Sequence, residues 1–199
     1  MRGHQGQLRN VPMTRIHTGI ANMIEFEVSR DPGLLQQYYS LRERCFRTDL
    51  GIESFDGSEE PQDQRGQILL AHINGRVIGG ARISSEVPAS QHITELNLAR
   101  PVCCVWERFV LDPGRRSINL AREFLARLIE VSHLLGYEHA LMLSSLRNAR
   151  FYRACHTALG ITFEIHKPVP EFATGEFAGL EHYLSVAYLS KREQLHLAA

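Results

Sequence analysis

The chain has 199 residues, 44% of them apolar, enough to bury one full core in a single domain. Lysine plus arginine and aspartate plus glutamate both number 22, so there is no net basic field and nucleic acid is not an expected partner. No apolar run reaches the length of a membrane span and the N-terminus carries no signal-peptide core, so a cytoplasmic protein without stable membrane insertion is expected.

Residues 1–20 are polar, carry Arg2, Arg9, Arg15, Gly3, Gly6 and Gly19, and lack any period. They are expected to form a flexible arm ahead of one domain over 21–199. From Met23 to Val28 apolar and polar residues alternate, as in a half-buried strand. Asp31-Pro32 opens a helix whose inner face carries Leu34, Leu35, Tyr38, Leu41 and Cys45, with Arg42 and Phe46 four apart on one ridge. Residues 47–66 contain Gly51, Gly57, Pro61, Gly66 and six acidic side chains, the composition of a mobile loop outside the core. Two apolar strands then flank Asn74-Gly75, a hairpin signal because both turn positions need positive φ. Near the end of the second strand Gly79-Gly80 leave room for another group beside Arg82.

The stretch from Val105 to Ala126 predicts a buried strand ending at Asp112-Pro113, a basic turn and an amphipathic helix. Leu120, Ala121, Phe124, Leu125, Leu128 and Ile129 recur at helical spacing, and Gly136 stops the helix. At its start Arg115, Arg116, Ser117 and Asn119 gather charge, caps and unpaired N–H groups that favour an anion. A buried strand over His139–Ser144, a short helix from Asn148 to Gly160, and strands at 162–165 and 184–189 complete the sheet. The insert before the last strand, with Pro168, Pro170, Phe172, Gly175, Phe177 and Gly179, has the length of a lid. Cys45, Cys103, Cys104 and Cys155 lack ligand or redox-pair spacing and read as reduced core residues. No metal site is expected, no Gly-x-Ser-x-Gly or His-Glu-x-x-His occurs, and the ten histidines form no cluster with a nucleophile.

Arg116-x-x-Asn119-x-Ala121, after an Asp-Pro, resembles the Arg/Gln-x-x-Gly-x-Gly/Ala turn of acyltransferases with the GCN5-related N-acetyltransferase fold. The resemblance implies an α+β architecture, a mixed and mostly antiparallel sheet flanked by helices, with the acyl donor held at Arg116, Ser117, Asn119 and Ala121. Asn119 stands where glycine is usual, and its Cβ occupies space that a coenzyme A pyrophosphate would approach, so a carrier-protein donor with one phosphate fits better. The Asn148 to Gly160 segment resembles the one from which a tyrosine protonates the leaving thiolate, which makes Tyr152 the candidate acid. Arg42-x-x-x-Phe46, Asp63 (with Asp56 competing for its position), Gly79-Gly80-Ala81-Arg82 and Trp106-Glu107-Arg108-Phe109 resemble the autoinducer (acyl-homoserine lactone) synthases and the related long-chain N-acyl amino acid synthases, over about residues 34–190. Two departures favour the second group, including members that acylate tyrosine: the lone tryptophan is Trp106 rather than one soon after the first helix, and Glu107-Arg108-Phe109 replaces Glu-x-x-Arg-Phe.

A thioester already has a good leaving group, so the enzyme must chiefly align an amine, take its proton and bind the developing oxyanion. Glu107, between Trp106 and Phe109, is the candidate base and Glu95 the second; the alternative role for Glu107 is to pair with Arg82 or Arg42 and brace the sheet. The expected reaction moves a long acyl chain from acyl carrier protein to the α-amine of an amino acid, tyrosine favoured, with no cofactor beyond the carrier's 4'-phosphopantetheine. The acceptor is expected at Arg42, Phe46, Asp63, Arg82 and Arg108, its carboxylate on the fork of Arg82 or Arg42. The carrier protein is expected on Arg115, Arg122, Arg147, Arg150 and Arg153 together with Arg116, and the acyl chain along Val110, Leu111, Leu141 and Leu143 under Phe172 and Phe177. An acyl-homoserine lactone synthase is the alternative enzyme, and a noncatalytic module binding acyl carrier protein or fatty acid is the alternative of another class; turnover separates them.

Overall fold

The computed structural model describes residues 23–172 and 174–189, so the arm expected over 1–20 lies outside the described residues. Seven strands, β1 (Glu25–Val28), β2 (Gln67–Ile73), β3 (Arg76–Ser84), β4 (Cys103–Leu111), β5 (His139–Ser144), β6 (Thr162–Pro168) and β7 (Tyr183–Tyr188), form one sheet in the order β1-β2-β3-β4-β5-β7-β6. Only β4 and β5 run parallel; every other pair is antiparallel. The β2–β3 hairpin turns at Asn74 and Gly75, with φ of 51° and 74°.

The helices are α1 (Pro32–Asp49), α2 (Pro61–Arg65), α3 (Gln91–Glu95), α4 (Ile118–Leu134) and α5 (Leu146–Ala158). Asp31, Ser117 and Ser145 cap α1, α4 and α5 by accepting the backbone N–H of Leu34, Leu120 and Asn148. On one face of the sheet, Leu120, Phe124, Leu125 and Leu128 of α4 and Cys155 of α5 pack on Leu69, Ile83, Trp106 and Met142. On the other face there are two clusters: α1 with Ile68, Leu70, Val77 and Val110, and Ile93 of α3 with Val105, Leu141, Val169, Leu184 and Val186.

Residues 47–66 depart from the mobile loop expected. Ile52 and Phe55 are buried in the α1 cluster, and α2 occupies the end of the segment. The chain also passes so close to α1 that a Cβ on Gly57 would sit 2.4 Å from Glu43 Cβ and 2.5 Å from the Tyr39 carbonyl. Two apolar anchors hold the segment down despite its acidic composition. No element is expected over 85–102, where α3 and a 3-10 turn (Arg100–Val102) form.

β4 and β5 pair only at Cys103–His139, Cys104–Ala140 and Val105–Leu141. Beyond Val105, β4 follows β3 while β5 follows β7, so the sheet opens into a wedge. Next to the wedge β4 carries a bulge. Gly80 pairs with Val110 and Arg82 with Glu107, so β4 spends one more residue than β3 between these pairs, and Arg108 takes a φ of 56°.

Candidate active site

Four elements bring six charged side chains together on the α1 face. Arg42 (α1) and Arg82 (β3) are 0% and 2% exposed, and Asp63 (α2) is 1% exposed between them. Arg42 Nη1 donates to Asp63 Oδ2 at 3.0 Å and Oδ1 at 3.3 Å, while its Nη2 donates to the carbonyls of Gly57 (3.0 Å) and Ser58. Arg82 Nη1 donates to Asp63 Oδ1 at 2.8 Å and Glu60 Oε2 at 2.5 Å, and Arg82 Nε donates to Glu107 Oε2 at 2.9 Å. Arg108 grips Glu60 with two nitrogens, Nε at 3.0 Å and Nη2 at 2.8 Å from Oε1. Three guanidiniums therefore meet three carboxylates, which balances charges that would be costly to bury singly.

The network is buried at its base and open at its rim. The side chains of Arg42 and Asp63 are wholly inaccessible, whereas those of Glu60, Arg108 and Glu107 keep 19%, 20% and 31% of their surface. Arg108 lies over the Phe177 ring, 4.9 Å from its centroid, and 5.8 Å from those of Phe46 and Phe55. Burial raises the Glu60 carboxyl, but its bonds to Arg108 and Arg82 outweigh this and hold it at about 2. Burial lowers Arg82, yet Glu107, Glu60 and Asp63 together push it well above its ordinary value.

Of the two competing acids, Asp63 and not Asp56 joins the charge network. Asp56 is exposed and accepts the Ser58 N–H in a local turn. Arg42 and Arg82, expected to offer a fork to a carboxylate, donate to carboxylates and carbonyls inside the protein, with Arg42 Nε buried and unpaired among the described residues, which leaves Arg108 as the guanidinium of the site at its rim. Glu107 braces Arg82 through one oxygen, the alternative role read for it, and its side chain is a third exposed. Glu95 lies apart, exposed on α3 and bonded to Gln91.

Glu60 and Phe55 were not foreseen at the site, and Tyr38 was read only as an inner-face residue of its helix. Glu60-Pro61-x-Asp63 is the missed signal: proline in a first turn, and an acid at its third position that accepts the Glu60 N–H at 2.8 Å.

On the opposite face Tyr152 packs 6.0 Å from the Phe109 ring, and burial pushes its phenol up to about 12. At the start of α4, Ser117 spends its hydroxyl on Leu120, and Asn119 is exposed in the first turn while Ala121 is buried. Arg116 turns back: its Nε donates to the Leu111 carbonyl at 2.9 Å and its Nη2 meets Asp49, so it ties the turn to α1. The channel residues also divide. Strand alternation puts Val110 in the α1 cluster and Leu111 in the α4 cluster, while Leu141 and Leu143 belong to the α3 cluster with Phe172. Phe177 covers Arg108 instead. Arg115, Arg122, Arg147, Arg150 and Arg153 are all exposed, on the α4 turn and on α5.

A sequence model of the acetyltransferase (GNAT) family matches residues 35–156. The chain belongs to that family. GNAT membership makes it an acyltransferase, and the matched span contains the whole charge network, the bulge and Tyr152. Solved structures share the fold. The CoA-dependent acyl-homoserine lactone synthase BjaI, with SAM and isopentyl-CoA, is 20% identical with a TM-score of 0.63, over 84% of each chain. The AHL synthase LasI is 16% identical with a TM-score of 0.61, over 86% of this chain and 92% of its own. An N-acetyltransferase from Staphylococcus aureus Mu50 is 14% identical with a TM-score of 0.60, over 84% of this chain and 99% of its own. No curated protein sequence matches the chain.

Proposed function

We propose that this GNAT enzyme moves a long acyl chain from the thioester of an acyl carrier protein to the α-amine of an amino acid, with tyrosine the favoured acceptor. The observation that carries the reading is the coincidence of three features at one point of β4: the wedge, the bulge and the partly exposed Glu107 beside Arg108.

A thioester seated in the wedge meets different chemistry on each face of the sheet. On the α1 face the acceptor's carboxylate is taken by Arg108, whose Nη1 lies outside its pair with Glu60, and its ring lies against Phe46 and Phe177. Glu107, with one oxygen braced on Arg82, takes the proton from the ammonium so that the amine can attack. Bulge residues Arg108 and Phe109 have no partner in the β3 register, and their backbone N–H groups are the donors for the developing oxyanion. On the α5 face Tyr152 returns a proton to the leaving thiolate, a role for which a phenol held protonated to about pH 12 is suited. The α3 cluster, from Val105 and Leu141 to Leu143 and Phe172, supplies the apolar wall for the chain. The exposed arginines of the α4 turn and α5 form the surface for an acidic carrier.

The test is a series of acyl carrier thioesters from acetyl to palmitoyl, offered with tyrosine, other amino acids or adenosylmethionine, with products read by mass spectrometry. Each two carbons should raise kcat/KM roughly tenfold until the wall ends, since a buried methylene contributes about 0.8 kcal/mol. Glu107→Gln should lower kcat by about a hundredfold or more without loss of fold. A preference for acetyl, a flat profile, or lactone from adenosylmethionine overturns the reading, and binding without turnover assigns a noncatalytic module.

A further inference from the structure

Tyr38 is fully buried on α1, and its ring enters a gap in β3 that exists because residue 80 is glycine. A Cβ on Gly80 would lie 2.3 Å from Tyr38 Cδ2 and 2.5 Å from Cε2. Packing alone would be met by a phenylalanine. The hydroxyl instead donates to the Arg108 carbonyl at 2.9 Å, across 70 residues of sequence. That carbonyl belongs to the bulged, left-handed residue that the β3 ladder leaves unpaired.

We infer that Tyr38 is a positioning residue: its hydroxyl fixes the Arg108 carbonyl, and with it the bulge that aims the Arg108 guanidinium and presents the neighbouring backbone donors. Arg108 is then held at both ends, by Tyr38 at its backbone and by Glu60 at its side chain. Arg42 lies against the same ring, 5.4 Å from its centroid, which couples the bulge to the buried base of the network. Burial pushes the Tyr38 phenol well above its ordinary value, against the pull of Arg42, so the donor proton is retained over any working pH.

The kinetic half of this inference rests on the acyl-transfer reading, and the structural half does not. In Tyr38→Phe the ring stays and one hydrogen bond goes. Amide hydrogen exchange at Arg108 and Phe109 should then accelerate about tenfold, while Cys104 in β4 and Leu70 in β2 keep their rates. With a long-chain acyl carrier thioester and tyrosine, kcat should fall about tenfold with the KM for the thioester unchanged. Gly80→Ala, which displaces the ring but keeps the hydroxyl, should give the same local exchange change. Unchanged exchange at 108 and 109, or a uniform rise across the sheet, overturns the inference. A wild-type protein inactive with every thioester and amine overturns the proposed reaction instead, and exchange alone then decides the role of Tyr38.

Discussion

Replacing Asp63 by asparagine probes how the site is held together. Among the described residues the Asp63 carboxylate is the only one within 3.5 Å of Arg42, and it also accepts from Arg82 at 2.8 Å and from the Glu60 N–H at 2.8 Å. Asparagine preserves the volume but removes the charge and turns an NH₂ donor toward one of two buried guanidiniums. Arg42 is left with Glu60, 3.9 Å away. Breaking a buried pair from one side costs roughly 3–5 kcal/mol, because the remaining charge stays desolvated. For a domain of this size that lowers Tm by roughly 10 °C. Urea unfolding followed by Trp106 fluorescence measures the loss, with an unchanged m confirming that the unfolded state is the same. As a control, Glu86→Gln breaks the exposed Arg65–Glu86 pair and should leave the midpoint where it was. A loss below about 1 kcal/mol at constant m would refute the claim that Asp63 is the keystone of the network.

Acid lability should begin with His156. Burial depresses it to about 4 from 6.5, against the opposing pull of its bond to the Tyr152 carbonyl. The unfolded chain therefore takes up this proton first, and stability that is full above pH 6.5 is lost as pH falls toward 4. Thermal melts across that window should flatten in His156→Phe, which keeps a ring against Trp106 and Phe163, and an unchanged slope assigns the loss to other groups. At the proposed carrier surface, reversing exposed Arg147 and Arg150 to glutamate should raise the KM for the carrier thioester by about tenfold at low salt, less at high salt, with Tm unmoved. Equal KM at both salt concentrations counts against docking there.

The elements most legible in the sequence were those with a local cause. Asn74-Gly75 demands its turn, Ser117 caps α4, and the spacing from Leu120 to Ile129 fixes one buried helix face. Arg42, Asp63, Arg82 and Glu107 were also recognisable, by their order along the chain. Their pairing was not, because any of three arginines could meet any of three carboxylates until the fold sets the distances. α2 was hidden by its length, since five residues are too few to show a period. Ile52 and Phe55 were outweighed by the acids around them. Arg116 read as a phosphate ligand because the turn faces a helix N-terminus, yet Asp49 at the end of α1 lies close enough to claim it.

The adjacency of Glu107 and Arg108 has its own explanation in the bulge. On a regular strand, neighbouring residues point to opposite faces, and Trp106 does face α4 while Glu107 faces α1. Arg108 should follow Trp106, yet it reaches Glu60, which also accepts from Arg82, so Glu107 and Arg108 share one face. The left-handed turn at Arg108 inserts the extra residue that makes this geometry attainable, and alternation resumes with Phe109 toward α4 and Val110 toward α1. Glu107 and Arg108, the base and the carboxylate-binding cation of the proposed reaction, thus stand side by side at the mouth of the wedge with no spacer between them. The cost is a strained non-glycine φ of about 1–3 kcal/mol. Tyr38, whose hydroxyl donates to the Arg108 carbonyl, and Gly80, which leaves room for its ring, tie the shape of α1 to the bulge on β4.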